Sequence, residues 1–448
     1  MALAIRREEQ WEDVAKTVFY AGRYGDFLSL VDGPPSALSP SLCLLAAKAL
    51  SRIGRSEESL ELLETLADPA RFGPDLAVHA LLQRAIVEVA IGRESSFVSC
   101  LDEAARLVVS SRDPELAFRL QLHQAMHAWT KRDFSATATY ARSAMSSTHP
   151  ETLALAGQFL GFVAASRGRY MEQIAILENA LAELDRMPTR DLWVEASILH
   201  NISGIIQDLY LPAVARRMSD RAEAIEWPEE LTLPRHHILR SLAYFRSLGS
   251  DPFLPFEYLD RASATAPTDG WKFISRLDRL FLYQEMSGDR ILRNYDAAKE
   301  MQHAEDLAAR IDWTTSHGED RYGLLVLSEL LSKSRPRDAA AYLAQYRQSR
   351  QSMSPTLMGR SDARWTAIED FVEGIVVTAN GDAARGVELI GKAFTFWDDV
   401  GFSWRATRAA IKLYELTGEE RHIDWAFRES RRYPYSWLSD AVSRAGHR

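Results

Sequence analysis

Cysteine is nearly absent: Cys43 and Cys100 are the only 2 in 448 residues. Two cannot build a disulfide framework, and neither has the neighbouring Cys or His spacing of a zinc site, so a reducing compartment is expected. Glycine (23) and proline (17) are too scarce for a collagen-like or low-complexity chain. Long apolar runs are missing as well. The nearest, Leu324 to Leu327, falls far short of the roughly 18 residues of a membrane helix, so no membrane association is expected. The first residues, MALAIRREEQWEDVAK, are charged from Arg6 onward and lack the apolar core of a signal peptide, which points to the cytoplasm. Catalytic signatures are equally absent, whether HExxH, the GxSxG elbow, the GxxxxGK[ST] phosphate loop or DDxxD. Neither a catalytic residue nor a cofactor nor a metal site is assigned, and the chain is expected not to be an enzyme.

What the chain does have is helical periodicity over an ordinary soluble composition, 46% apolar and 26% charged with a net charge of −9. Apolar residues recur three and four apart, as in Leu42, Leu45, Ala46, Ala49 and Leu50, or Leu60, Leu63, Leu66 and Ala67. Alternating strands with hairpin turns do not occur, so the fold class is all-α. Breakers at Gly54, Gly92, Gly168, Gly249, Gly288, Gly381 and Gly418 mark where one helix ends and its antiparallel partner begins. Their surroundings repeat. Segment 154 to 187 carries Gly161, Gly168, Tyr170 and Ala180; segment 78 to 111 carries Ala85, Gly92, Leu101 and Ala104. Segment 367 to 400 carries Gly374, Gly381, Ile390 and Ala393, and segment 118 to 151 carries Ala125, Arg132, Phe134 and Ala144. A small residue before the turn and another after it let two helices approach closely.

Segment 196 to 229, with Leu199, Asn201, Ile202, Ser203, Ile206, Ala215, Ala222 and Pro228, resembles a tetratricopeptide repeat, with Tyr210 at the turn in place of glycine. The layout recurs from about residue 11 to about 430. The resemblance implies a right-handed α-solenoid of about ten to twelve antiparallel hairpins. Prolines 228, 234, 252 and 255 suggest a soft division into arrays 1–228 and 229–448. Residues 396 to 442 are similar to the helical-repeat region of bacterial regulators of the maltose-activator and LuxR type. Without a phosphate loop or room for a further domain, only their scaffold carries over.

In the tetratricopeptide family the first helix of each repeat lines a concave groove that holds an extended peptide or a partner helix. The resemblance places His200, Gly204, Gln207 and Asp208 on that face, with Asn201 beside them. The implied function is a regulatory scaffold that captures a protein or peptide partner. Two other readings stay open: a regulator that senses a small ligand or signal peptide through its curvature, and a helical enzyme. The second half holds Trp271, Trp313, Trp365, Trp397, Trp404, Trp425 and Trp437, either filling gaps between helices or lining a channel for a small molecule.

The other polar clusters have plainer readings. His123 and His127 share a helical face, and His236 and His237 are adjacent; both pairs are read as structural histidines. The pairs Glu57–Glu58, Glu229–Glu230, Asp398–Asp399 and Glu419–Glu420 are assigned to helix starts or turns, where they complement the dipole. Arg216, Arg217, Arg221, Arg235 and Arg240, and Arg335, Arg337, Arg347, Arg350 and Arg360, form basic stretches. With acidic residues interleaved, they read as solvated helix faces, and a nucleic-acid partner is not expected.

Overall fold

Proline and aspartate set where the helices begin. Prolines head Pro40–Arg52, Pro74–Ala90, Pro114–Thr130 and Pro212–Glu223, positions where a missing N–H costs nothing and the fixed φ suits the first turn. Asp113, Asp133 and Asp382 accept from the backbone N–H groups of Glu115, Ala136 and Arg385, satisfying donors that the helix itself cannot. A computed structural model describes residues 2–32, 38–249, 251–286, 295–313, 318–351, 363–432 and 437–446. Among these residues there are 24 helices and no strand. The all-α class holds, and the helices pair as antiparallel hairpins: Pro74–Ala90 with Glu94–Val108, Pro114–Thr130 with Phe134–Ala144, Ala363–Ala379 with Ala383–Asp399.

Turn chemistry accounts for the hairpins. Gly54, Gly92, Gly168, Gly381 and Gly418 have φ of 83°, 81°, 73°, 103° and 69°, a left-handed conformation that glycine adopts without steric cost. Gly249 is not in this conformation, and Gly288 lies outside the described residues. At the same place in their repeats stand Arg132 (φ 59°) and Tyr210 (φ 53°), each carrying a Cβ that the left-handed region disfavours. Arg132→Gly should therefore stabilise the chain by roughly 0.5 kcal/mol, since relief of strain exceeds the entropy cost of glycine. A raised melting temperature checks this.

Small residues set the spacing between paired helices. A Cβ on Gly374 would stand 2.6 Å from Cγ1 of Ile390 and 3.0 Å from the carbonyl oxygen of Gly386, so Gly374→Ala forces the hairpin apart. A loss of about 1–3 kcal/mol is expected in urea unfolding. In segment 154 to 187 the pairing is shifted by one turn. Gly157 faces Ala180, whereas Gly161 faces Leu177.

The chain forms two compact units. Unit 1 comprises Met1–Ala164, Met171–Ile198 and Glu226–Pro234, and unit 2 comprises Ala165–Tyr170, Leu199–Ile225 and Arg235–Arg448. In unit 1, Cys43 packs with Ala47, Leu63 and Val87, and Cys100 with Leu81, Phe97 and Leu116. Burial raises the pKa of both thiols, which suits structural cysteines. In unit 2, Phe371 meets Trp397 edge-on at 5.2 Å, and Tyr170 lies 4.5 Å from Phe402. One helix-start assignment is corrected. Asp398 and Asp399 close Ala383–Asp399 at its C-terminal end, where the dipole does not favour them. Burial accordingly raises the Asp398 carboxyl.

Candidate functional site

In each unit the first helices of successive hairpins lie against one another, and charged side chains from different helices pair between them. Unit 1 joins Pro40–Arg52 to residues far along the chain. Arg52 forks onto Asp191 at 3.1 and 2.8 Å, while Lys48 bonds Glu151 at 2.7 Å. Asp191 also accepts from the backbone N–H of Trp193 at 3.0 Å, so one fully buried carboxylate both caps a helix and anchors another. Burial alone would raise its pKa; Arg52 and Lys48 reverse that and hold it at about 2.

The residues 200–208 lie in unit 2. His200, Asn201 and Gly204 are half-buried, while Gln207 and Asp208 are buried. Helical spacing puts them on one side of Leu192–Leu209. The Asp208 carboxylate is shared by two arginines: Arg364 from Ala363–Ala379, with Nε and Nη2 at 3.1 and 2.7 Å, and Arg405 from Ser403–Thr417, with Nε at 2.7 Å. Arg364 also donates to the carbonyl of Gly204. Upstream, His200 lies edge-on to His237 with centroids 4.1 Å apart, and His237 lies 4.8 Å from Trp271. The structure thus brings Gly204 and Asp208 to one polar centre with Arg364, and His200 to a neighbouring aromatic cluster. Gln207 lies beside Asp208, its Nε2 without an acceptor among the described residues.

Two charge triads face each other one helical turn apart. Arg364 and Arg405 on Asp208 form a triad of net positive charge. Arg408 bonds both Glu285 and Glu329, leaving one negative charge. The Trp404 ring lies 5.2 Å from each of the Arg405 and Arg408 guanidinia, a cation–π contact that screens one cation from the other. Burial would depress the Arg405 pKa, but Asp208 and Tyr322 hold it above the ordinary value; burial raises the Glu285 carboxyl against the pull of Arg408. Nη1 of Arg408 is buried with no acceptor among the described residues.

The aromatic and basic stretches resolve in detail. Trp365, Trp397 and Trp404 are buried, and each lies against an arginine of these triads; Trp271 packs on the two histidines. The side chain of Trp437 lies outside the described residues. Arg240 bonds Asp278 at 2.7 Å, Arg347 bonds Glu369 at 3.1 Å and also Glu373, and Arg335 bonds Glu305 at 2.7 Å. Arg240, Arg335 and Arg347 are thus paired in place, and Arg360 lies outside the described residues. No group of three or more His, Cys, Asp or Glu placed for a metal occurs among the described residues. No described helix is long and apolar enough to cross a membrane.

No protein-family model and no curated protein matches the chain. Among solved structures, a Rap protein complexed with competence and sporulation factor aligns with a TM-score of 0.53 at 11% identity, over 82% of this chain and 99% of that one. The fold is that of a tetratricopeptide-like helical-repeat protein. The apo form of RapI (TM-score 0.47, 13% identity, 82% and 97% coverage) and the apo quorum sensor NprR from B. thuringiensis (0.45, 11%, 82% and 98%) are also similar. At such identities the likeness concerns architecture.

Sequence reasoning reached Asp208 but not Arg364 and Arg405, which lie 156 and 197 residues away. The available signal was charge at inner positions of otherwise apolar first helices, such as Arg364 next to Trp365 and Arg405 next to Trp404.

Proposed function

We propose that the chain is a protein- or peptide-binding regulatory scaffold and that the inner face of unit 2 captures an extended partner segment, with His200, Asn201, Gln207 and Asp208 in the contact surface. The observation that carries this reading is the pair of adjacent triads of opposite net charge, with the Gln207 Nε2 and Arg408 Nη1 donors buried there without an acceptor among the described residues. A partner carboxylate or carbonyl oxygen suits the Arg364–Arg405 end, and a partner amine or amide N–H suits the Glu285–Glu329 end. Gln207 Nε2 and Arg408 Nη1 are donors already removed from water, so an acceptor supplied by the partner gains a hydrogen bond at little further desolvation cost. The Rap structure, a complex with competence and sporulation factor, offers a precedent on a similar architecture. A small ligand that bridges the triads is the alternative occupant.

Selection of a random peptide library on the full chain tests the proposal. Enriched peptides should carry an acidic position, and Gln207→Ala should weaken them about tenfold, the worth of one hydrogen bond to a buried donor. Because Gln207 Nε2 has no acceptor among the described residues, the same change should leave thermal stability within about 1 kcal/mol. Enriched peptides that bind the variant as well as the wild type remove this face from the site.

A further inference from the structure

Arg119 differs from the other inner-face arginines. It sits half-buried on Pro114–Thr130 in unit 1, and its guanidinium meets no carboxylate among the described residues. Its Nη1 instead lies 3.4 Å from Nδ1 of His79, on Pro74–Ala90. One turn further along, His123 turns its Nδ1 to the Arg119 carbonyl at 2.8 Å. His149, preceding Pro150–Ser166, has a buried Nδ1 with no hydrogen-bond partner among the described residues. Three neighbouring hairpins thus direct a permanent cation and three imidazoles to one place, a set rich in donors in which no carboxylate bonds the guanidinium among the described residues.

We propose that Arg119, flanked by His79, His123 and His149, forms an oxyanion site on the inner face of unit 1 that takes a carboxylate or phosphate group of a bound ligand. The guanidinium is charged at every accessible pH and offers a planar fork that matches two oxygens of such a group. The nearby carboxylates are mostly committed elsewhere. Asp113 accepts from the Glu115 N–H at 2.9 Å, Glu115 accepts from Thr148 Oγ1 at 2.8 Å and from Ser147, and Glu151 is held by Lys48 at 2.7 Å. Asp75 faces His79 from the same helix, and Lys48 adds a cation. Burial first, and the charge of Arg119 among the further causes, hold His79 and His123 at about 4 and lower His149. A bound anion counters the charge of Arg119 and favours the imidazolium forms, so binding is coupled to proton uptake and tightens as pH falls.

The test is NMR of the imidazole ε1 signals in the full chain between pH 3.5 and 7.5, at constant ionic strength in sodium chloride, with added inorganic phosphate or sodium acetate. His79→Gln and His149→Gln assign the signals. Either anion is expected to raise the apparent pKa of both histidines by about one unit or more. A response to phosphate alone identifies a phosphate group, a response to acetate alone a carboxylate, and a response to both an unselective oxyanion site. Arg119→Gln is expected to abolish the response. Arg119→Lys, which keeps the charge and loses the fork, is expected at least to halve the affinity. Silence of these histidines in both anions, an undiminished response in Arg119→Gln, or unchanged affinity in Arg119→Lys overturns the proposal. Because the site lies in unit 1, a failure here leaves the reading of unit 2 standing.

Discussion

Asp208→Ala is expected to destabilise unit 2 by about 3–5 kcal/mol, the usual cost of removing one partner from a buried ion pair. The loss is large because one carboxylate serves two guanidinia. Arg364 and Arg405 approach it at 2.7 Å from helices distant in sequence, and without it two buried cations face each other. Neither guanidinium escapes the penalty by losing its proton, since arginine stays charged. Gly204 still accepts a hydrogen bond from Arg364 but carries no compensating charge. Urea unfolding followed by tryptophan fluorescence reads the effect directly, because buried Trp397 and Trp404 pack against Arg405. A loss below about 1 kcal/mol would mean that water reaches the triad and screens it. Replacing all three members by apolar residues of similar volume should cost much less than the single change, since the expense lies in the unpaired charge.

Lowering the pH from 7 to 5 is expected to remove about 2 kcal/mol of stability from unit 1 for each of His79 and His123. Burial holds both imidazoles near pKa 4, against an ordinary value of 6.5. A group whose folded pKa is depressed keeps its folded form unprotonated, while the unfolded chain takes up the proton. Stability is therefore full above about pH 6.5 and falls as pH drops toward 4. Below that range Asp191 adds its own loss, because its folded value of about 2 lies under the ordinary carboxylate range. Urea midpoints at pH 7, 6 and 5 in a buffer free of phosphate and carboxylate check the prediction, and the double variant His79→Gln with His123→Gln should flatten the curve between 7 and 5. A wild-type midpoint that does not move would contradict the burial of these rings.

The helical periodicity and the turns were legible in the sequence because local rules govern them. A left-handed turn residue requires glycine, so Gly92 and Gly381 mark hairpins directly, and their register exposes Arg132 and Tyr210 as the strained equivalents. Close helix approach was legible less finely: Gly161 and Ala180 were both recognised as small, yet Ala180 meets Gly157, since helical sequence spacing leaves the crossing point open by a turn. The inner stripe at 200–208 was visible as one helical face. Its partners were not, because ion pairs between residues more than 150 positions apart leave no local trace. The arginines around 335–350 looked like solvated faces for the same reason, although Glu305, Glu369 and Glu373 engage them. His123 was weighed only against His127 as a metal pair; its inner-face neighbours, His79 and Arg119, lie on a different hairpin or carry no recognised motif.

The central claim, capture of a partner segment on the inner face of unit 2, is tested most directly by amide hydrogen exchange of the full chain with and without a selected peptide. Slowed exchange at residues 199–209 together with 403–410, and a smaller change when Gln207→Ala is compared under the same conditions, is the predicted result. Protection confined to the outer helices, such as 383–399 and 420–430, or protection unaffected by Gln207→Ala, would contradict it.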